Sequence, residues 1–326
     1  MRVGFVREAG GFGDIICVGG AARALKEERD CETVLFIPSD FVEAGSHLEG
    51  VDKIVELGRV KSLVKRRRQR LSPMKDVPYL QVTRDYGCDE LYDMFCPAFM
   101  YECSVNDSPL LYTRSQLFGM AAGVSSIQQS FPVWKCRDEE LVEAEAILAE
   151  KGIEKPFIAC GLRGTCSARS VPLDVVEDLF CTMTENRHRM VLLDSLLPRF
   201  KLPEGSHYIS VPFPLYVAIV QLSAIVLTVD SCLLHISKAL DKRALGLFGP
   251  TDATPFRKWY RSVSVVECTG TRCGKGCNYN VTKGWNKEAC RAKGCVRMLS
   301  IEAEAIVRRL SKEAAKCYKH QAALPA

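Results

Sequence analysis

Hydrophobic runs alternate along the chain with stretches in which apolar residues recur every three or four positions. RVGFVR, ETVLFIP and VDKIVEL predict short strands near the start, and PYLQVTR, from Pro78, is a candidate fourth strand. After the first of them, DIICVGGAARALKEE predicts a helix with Ile15, Val18, Ala22 and Leu25 on one face. Alternating strands and helices predict a parallel sheet with helices on its faces.

The same alternation continues in the second half. RDEELVEAEAILAEKG predicts a helix that ends at Gly152, and FIACGLR, MVLLDS and HYISV predict strands. The most apolar stretch, residues 215–229, is shorter than the ~20 residues of a membrane span, so no transmembrane segment is expected. SIEAEAIVRRLSKEAAKC predicts a last helix with Ser300 as its cap. Four apolar residues at helical spacing mark an amphipathic helix after FIACGLR: Val176, Leu179, Phe180 and Met183.

The segment Val229–Pro255 contains most of the functional information. The apolar run AIVLTV ends at Asp230, and a helix is predicted from Ser231 to Leu240 with His235 in its first turns. A second strand, RALGLFG, stops at a Gly-Pro-Thr turn. Ligands of parallel sheets bind beyond the carboxyl ends of the strands, and a helix N-terminus there suits a phosphate.

Composition limits the class of protein. With 326 residues, two domains are expected, and a net charge of +5 fits an anionic ligand without demanding nucleic acid. The start, MRVGFVREAGGFGD, lacks the apolar core of a signal peptide. The 16 cysteines are therefore expected to be mainly reduced, and Cys17, Cys160 and Cys181 are interpreted as buried thiols.

A glycine-rich loop follows the first predicted strand and leads to Asp14, a candidate general base. Glycines such as Gly11 and Gly13 let the backbone turn sharply and let an acceptor come close. A helix N-cap is an equally good interpretation of Asp14 from these residues alone. GGFGD lacks the G-x-G-x-x-G spacing of dinucleotide-binding loops, so a nicotinamide site is disfavoured.

Two groups of arginines are candidates for anion binding. Arg169 lies in GLRGTCSARSVPLD, between a strand and a helix, where a guanidinium can grip phosphate in a bidentate way. The alternative interpretation of Arg169 is a surface arginine beside a helix that starts with proline, and Arg163 is a weaker candidate for the phosphate. The run RVKSLVKRRRQR is most simply a solvated segment; the alternative is a basic patch in which Arg66 and Arg67 face an anionic acceptor or a membrane.

Five cysteines cluster near the end of the chain with the spacing C-x4-C-x3-C-x12-C-x4-C. Four thiolates are able to hold a structural zinc or iron ion, although the spacing differs from the paired C-x2-C of a zinc ribbon. A loop of reduced thiols without metal is the alternative, and both stay open. The five residues are Cys268, Cys273, Cys277, Cys290 and Cys295.

The segment from Asp230 to Thr251 resembles the donor-binding region of heptosyltransferase-like glycosyltransferases, family nine, in which D-T/S-G-x-x-H-x-x-A-A-L-x-x-P precedes a strand and F-G-P-T. Cys232 replaces the glycine of that pattern and Arg243 the proline. The resemblance implies an α/β, GT-B-like fold, with two Rossmann-like domains facing each other across a cleft. They are an acceptor-side domain, residues 1–136, and a nucleotide-sugar-binding domain, residues 137–326, with the cysteine-rich loop 268–295 and a last helix. The matching residues are Asp230, Ser231, His235, Ala239, Leu240 and Phe248-Gly249-Pro250-Thr251.

The resemblance also implies an inverting, metal-independent transfer of a sugar, by family default heptose, from a nucleotide diphosphate to an acceptor hydroxyl. Asp14 would be the base, and the absence of any Asp-x-Asp in the sequence disfavours a catalytic metal. A glycan or glycolipid acceptor, as in lipopolysaccharide synthesis, and a cytoplasmic location with peripheral contact at the inner face of the membrane are expected. The donor-binding residues implied are Thr165, Arg169, Asp230, Ser231, Cys232, His235 and Thr251.

Two other functions remain open. The basic run and the cysteine cluster would suit a nucleic-acid-associated protein, although no nucleic acid is expected as a partner. The cysteine at position 232 would also suit a relative that binds a nucleotide sugar without turnover.

Overall fold

A computed structural model describes residues 1–8, 10–58, 86–94, 111–164, 167–194, 200–268, 295, 298 and 300–321. The chain divides into two compact units. The N-terminal unit comprises Met1–Ser104 and Tyr112–Lys135, and the C-terminal unit comprises Val105–Leu111 and Cys136–Ala326. The strand predicted from Pro78 lies outside the described residues.

The N-terminal unit is built on a four-stranded sheet. Its elements are β1 (Arg2–Val6), α1 (Phe12–Glu28), β2 (Glu32–Ile37), a 3-10 helix (Ser39–Phe41), α2 (Val42–Gly45), β3 (Lys53–Glu56), β4 (Glu90–Asp93), α3 (Arg114–Ala121) and a 3-10 helix (Ile127–Gln129). The strand order is β3-β2-β1-β4, and all neighbouring pairs are parallel. The sheet and α1 confirm the predicted alternation, whereas β4 was not predicted.

Helix α1 is buried on nearly all sides, not on one face as the spacing predicts. Ile15, Val18 and Leu25 are fully buried, and so is Cys17 on another face. Close packing against a loop explains part of this, since a Cβ at Gly20 would lie 2.7 Å from the backbone nitrogen of Pro132. The middle of α1 is therefore packed tightly against this loop.

The C-terminal unit is built on a six-stranded sheet. Its elements are α4 (Asp138–Glu150), β5 (Ile158–Gly161), a 3-10 helix (Ser167–Arg169), α5 (Leu173–Glu185), β6 (Met190–Leu193), β7 (Ser206–Ile209), α6 (Phe213–Leu222), β8 (Ile225–Val229), α7 (Cys232–Ala239), β9 (Ala244–Phe248), α8 (Thr254–Trp259), β10 (Val263–Glu267) and α9 (Ala303–Gln321). The parallel strands follow the order β10-β9-β8-β5-β6-β7. Counted within the unit, this is the Rossmann order 3-2-1-4-5-6, whose topological switch point lies between β5 and β8.

Most predicted elements of this unit are confirmed, and two details are wrong. The four apolar residues predicted to mark α5 are all buried in the core. Cys160 is buried as expected, but Cys181 is exposed, because it lies on the outer face of α5. Helix α9 begins at Ala303, so Ser300 is not adjacent to its first turn. None of the helices in the described part of the chain has both the length and the hydrophobicity of a membrane span.

Candidate donor site and aspartate cluster

The switch point of the C-terminal sheet brings the predicted donor residues together. Strands β5 and β8 pair in register, Gly161 with Thr228, and Asp230 and Ser231 follow β8 directly. Ser231 is the extended N-cap residue of α7, so the first N–H groups of that helix lie at this edge of the sheet. In open parallel sheets, ligands bind at this position.

Arg169 and Thr251 both contact the carboxylate of Asp230. Arg169 Nη1 lies 3.3 Å from Asp230 Oδ2, and the hydroxyl of Thr251 donates to the same oxygen at 2.6 Å. The side chain of Arg169 is 21% exposed and that of Asp230 is 15% exposed. The three residues come from three separate segments of the chain. Their contacts hold the guanidinium of Arg169 in place at the edge of the sheet while part of it remains accessible.

The first turn of α7 presents hydroxyl and thiol groups at the same edge. The hydroxyls of Ser231 and Thr228 lie 3.2 Å apart. Burial raises the pKa of the Cys232 thiol to about 11, and the N–H of Leu233 and the charge of Arg169 oppose this only in part. The thiol is therefore protonated and uncharged at neutral pH.

His235 lies one turn further along α7 and is buried, with 9% of its surface exposed. Its Nδ1 is 2.9 Å from the phenol oxygen of Tyr260, which is fully buried at the end of α8.

Four further candidate residues either pair elsewhere or lie outside the described residues. Arg163 pairs with Asp194 at 2.7 Å, at the carboxyl end of β6, and does not share the carboxylate of Asp230. Thr165 lies outside the described residues, as do Arg66 and Arg67 in the N-terminal unit.

In the N-terminal unit, Asp14 is in the first turn of α1. Gly11 is the N-cap, and its N–H donates to Asp14 Oδ2 at 2.9 Å. Asp14 is thus not the N-cap itself; its carboxylate closes the first turn from inside the helix. Gly10 has φ +126°, and a Cβ there would collide with the carboxylate of Asp14. Gly11 and Gly13 flank the start of this turn.

Two arginines that the sequence did not single out hold the other carboxylate oxygen of Asp14. Arg7 Nη2 lies 3.3 Å from Oδ1, and Arg114 also pairs with this atom. Burial alone would raise the pKa of Asp14, but the two guanidinium groups and the N–H of Gly11 outweigh it and hold the pKa well below its ordinary value.

The side chains of the two arginines differ in how far they are exposed to solvent. Arg7 is 5% exposed, donates to the carbonyl of Met94 at 2.8 Å and lies over the ring of Phe118. Arg114 opens α3, and 26% of its side chain is exposed. Arg7 directly follows β1, so its position near Asp14 could have been inferred from the sequence. Arg114 could not have been linked to Asp14 in this way, because 100 residues separate the two.

Two of the five clustered cysteines are described. Cys268 and Cys295 are both buried beside the end of β9: the N–H of Cys268 donates to Phe248 O at 2.8 Å, and a Cβ at Gly249 would lie 3.3 Å from Cys295 Sγ. The described residues contain no group of three or more metal-ligating side chains. The remaining cysteines, Cys273, Cys277 and Cys290, lie outside them.

Comparisons with known proteins agree with this arrangement. Residues 213–283, from α6 past β10, match the model of "Glycosyltransferase family 9 (heptosyltransferase)". This segment of the chain is thus similar to the heptosyltransferase-like glycosyltransferases. The match covers the switch-point residues that follow β8 and β9, and it confirms the resemblance predicted from Asp230 to Thr251. A search among curated proteins gave no match.

Several solved structures share the fold of this chain at low sequence identity. A glycosyl transferase family 9 protein from Veillonella parvula DSM 2008 has a TM-score of 0.68 at 10% identity, covering 97% of each chain. The E. coli ADP-heptose lps heptosyltransferase II has a TM-score of 0.64 at 13% identity, covering 97% of this chain and 99% of the other. The dodecameric iron-containing heptosyltransferase TibC of E. coli, in complex with ADP-D-beta-D-heptose, has a TM-score of 0.58 at 12% identity, covering 97% and 76%. These likenesses support the GT-B-like fold.

Proposed function

We propose that this protein is a glycosyltransferase that moves a sugar from a nucleotide diphosphate donor to an acceptor hydroxyl, with inversion and without a catalytic metal ion. The observation that supports this most directly is the position of Arg169. A partly exposed guanidinium, held by Asp230, lies beside the N-terminus of α7 at the Rossmann switch point. A diphosphate is the ligand that matches a cation and a helix N-terminus together.

On the donor side, each group has a defined task. Arg169 and the N–H groups that follow Ser231 neutralise the charge that grows on the departing diphosphate. In glycosyltransferases with an Asp-x-Asp pair, a divalent ion held by the two carboxylates neutralises this charge. The uncharged thiol of Cys232 adds no negative charge that would repel the phosphate.

On the acceptor side, Asp14 takes the proton of the attacking hydroxyl. A carboxylate held by two arginines is a weak base, so one of these contacts must loosen before the proton moves. Arg114 is the contact that can loosen, since 26% of its side chain is exposed, whereas only 5% of the Arg7 side chain is. A single base without a carboxylate nucleophile implies direct displacement and hence inversion.

The donor we propose is ADP-heptose, the ligand in the name or complex of two similar structures. The acceptor is a glycan or glycolipid of the lipopolysaccharide core or another surface glycan. Peripheral contact with the inner face of the membrane and a cytoplasmic location remain predictions.

A thermal-shift panel of nucleotide diphosphates, their sugars and the matching nucleosides tests the donor. A ligand that binds the folded state at 100 times its Kd stabilises it by about 2.7 kcal/mol. We expect ADP and ADP-heptose to raise the midpoint and adenosine to leave it nearly unchanged. A panel in which no nucleotide diphosphate shifts the midpoint would refute the proposal.

Sugar transfer should survive EDTA, because Arg169 and the start of α7 hold the diphosphate without a divalent ion. The measurement is turnover within minutes of adding the chelator. Immediate loss that Mg²⁺ or Mn²⁺ restores would contradict the metal-free mechanism. Slow loss of turnover accompanied by unfolding would instead indicate that the chelator removes a structural metal ion from the cysteine cluster.

We also propose that the cysteine cluster holds one structural zinc or iron ion, with no part in catalysis. Buried thiols at the end of β9, Cys268 and Cys295, fit the thiolate ligands that both metals accept. The similar structure of TibC is described as iron-containing.

The cysteine proposal predicts about one zinc or iron atom per chain by elemental analysis. Cys273→Ser combined with Cys277→Ser should lose the metal and lower the melting temperature, because metal binding contributes to folding free energy. Cys181→Ser, at an exposed position, is the matched control and should keep both. If the wild-type protein contains no metal and the double variant is as stable as the wild type, the cysteines are unliganded thiols and this proposal is wrong.

A further inference from the structure

Tyr216 lies in the first turn of α6, at the edge of the C-terminal sheet where the candidate donor residues meet. A helix that joins two parallel strands runs back against them, so its first turn lies beyond their carboxyl ends. The phenol oxygen of Tyr216 reaches the end of β5, because a Cβ added at Gly161 would lie 3.2 Å from it. Gly161 pairs with Thr228 of β8, so this hydroxyl lies at the switch point of the sheet.

The first turn of α7 lies against the same point. A Cβ at Gly161 would also lie 2.6 Å from Cδ2 of Leu233, the second residue of that helix. The absence of a side chain at Gly161 therefore lets a phenol from α6 and the start of α7 approach the end of β5 together. The hydroxyl is thus close to the helix N-terminus that suits a phosphate.

The hydroxyl of Tyr216 is able to donate a hydrogen bond. Burial raises the pKa of Tyr216 well above its ordinary value, and the nearby acidic groups of Cys232 and Asp194 add to this effect, so the phenol keeps its proton at neutral pH. Within the described part of the chain, no protein group accepts that proton. The ring packs in parallel on Phe213, with centroids 5.9 Å apart, and the residue is only partly exposed.

We propose that Tyr216 is a further donor-binding residue, whose hydroxyl donates a hydrogen bond to the diphosphate of the nucleotide sugar. This inference rests on the proposed function, in which the N–H groups after Ser231 hold that diphosphate. A diphosphate oxygen is a charged acceptor, and a hydrogen bond to a charged acceptor is stronger than one between neutral groups. The bond strengthens further as negative charge grows on the departing diphosphate.

Tyr216→Phe tests the inference, because it keeps the ring and removes only the hydroxyl. Affinity for ADP should fall about tenfold or more, as for the loss of a hydrogen bond to a charged group, while affinity for adenosine stays the same. The melting temperature without ligand should not fall, since the hydroxyl has no partner among the described residues. Titration calorimetry with both ligands and a thermal melt measure the three quantities.

Tyr208→Phe is the matched control. Its phenol donates to the carbonyl of Asp194 at 3.1 Å, in the same unit. This variant should lower the melting temperature and leave the affinity for ADP unchanged, which is the opposite of the pattern expected for Tyr216→Phe.

Three results in Tyr216→Phe would overturn the inference. Unchanged affinity for ADP would show that the hydroxyl does not reach the diphosphate. Equal losses for ADP and adenosine would place it at the nucleoside. A clearly lowered melting temperature, or failure to fold, would show that the hydroxyl serves the fold. The proposed function is tested separately: it fails if the wild type binds no nucleotide diphosphate, whereas normal ADP binding by both the wild type and Tyr216→Phe refutes only the role of Tyr216.

Discussion

Replacing Asp14 with asparagine should lower turnover by about 100-fold or more and leave donor affinity nearly unchanged. Asparagine has nearly the same shape, and its carbonyl still accepts the N–H of Gly11, but it cannot take a proton from the acceptor hydroxyl. The donor residues we propose lie in the C-terminal unit, so their phosphate contacts should persist. Steady-state kinetics and a separate measurement of donor binding distinguish the two effects.

The stability of the variant must be measured alongside, because Asp14 also pairs with two arginines. Its folded pKa is depressed below the ordinary ~3.9, so the ion pairs stabilise the folded state above about pH 4. This stabilisation is lost as pH falls below that value, and Asp14→Asn should lack it at neutral pH. Asp52→Asn is the matched control, since Asp52 also has a lowered pKa and pairs with Lys26 in the same unit.

We expect Asp52→Asn to be somewhat less stable and fully active. Near-normal turnover in Asp14→Asn would remove Asp14 as the base. The nucleic-acid-associated alternative predicts a different pattern: removing Arg66 to Arg68 would abolish the main activity of the protein, and Asp14→Asn would leave that activity intact.

The ends of the strands were predictable from sequence because a buried parallel strand is a short apolar run and the next polar residue marks its end. Asp230 and Ser231 follow β8 in this way, and the helix after them was predicted to within a residue or two. The strand β4 was missed because its four residues are only half-buried and contain no apolar run, with the charged residues Glu90 and Asp93 at its two ends.

The partners of the candidate residues were not predictable, because each depends on contacts between distant segments. Arg114 reaches Asp14 across 100 residues, and Tyr260 reaches His235 across 25. Cys181 is a different case. The spacing that placed Phe180 on the inner face of α5 also implies that the next residue points outward, so its exposure was available from the sequence.

Replacing Arg169 with alanine should weaken the binding of a nucleotide diphosphate by about 1.5–3 kcal/mol, the cost of a lost charged hydrogen bond. Binding of the nucleoside should hardly change, because it has no phosphate. Titration calorimetry with ADP and adenosine measures both. Arg163→Ala is the matched control: it removes an arginine that pairs with Asp194 instead of Asp230, and ADP should bind it normally. If Arg163→Ala lost affinity for ADP and Arg169→Ala did not, Arg163 would be the arginine that binds the diphosphate.

Part of the loss in Arg169→Ala would come from Asp230, whose carboxylate keeps its charge when the neighbouring cation is removed. A negative group near the phosphate site repels the ligand, so the single variant overstates the direct contact. Adding Asp230→Asn should therefore restore part of the ADP affinity while the nucleoside affinity stays constant. If the second change restores nothing, repulsion by Asp230 is negligible and the whole loss belongs to the guanidinium. If ADP and adenosine lose equally in Arg169→Ala, the arginine supports the local fold and does not grip the diphosphate.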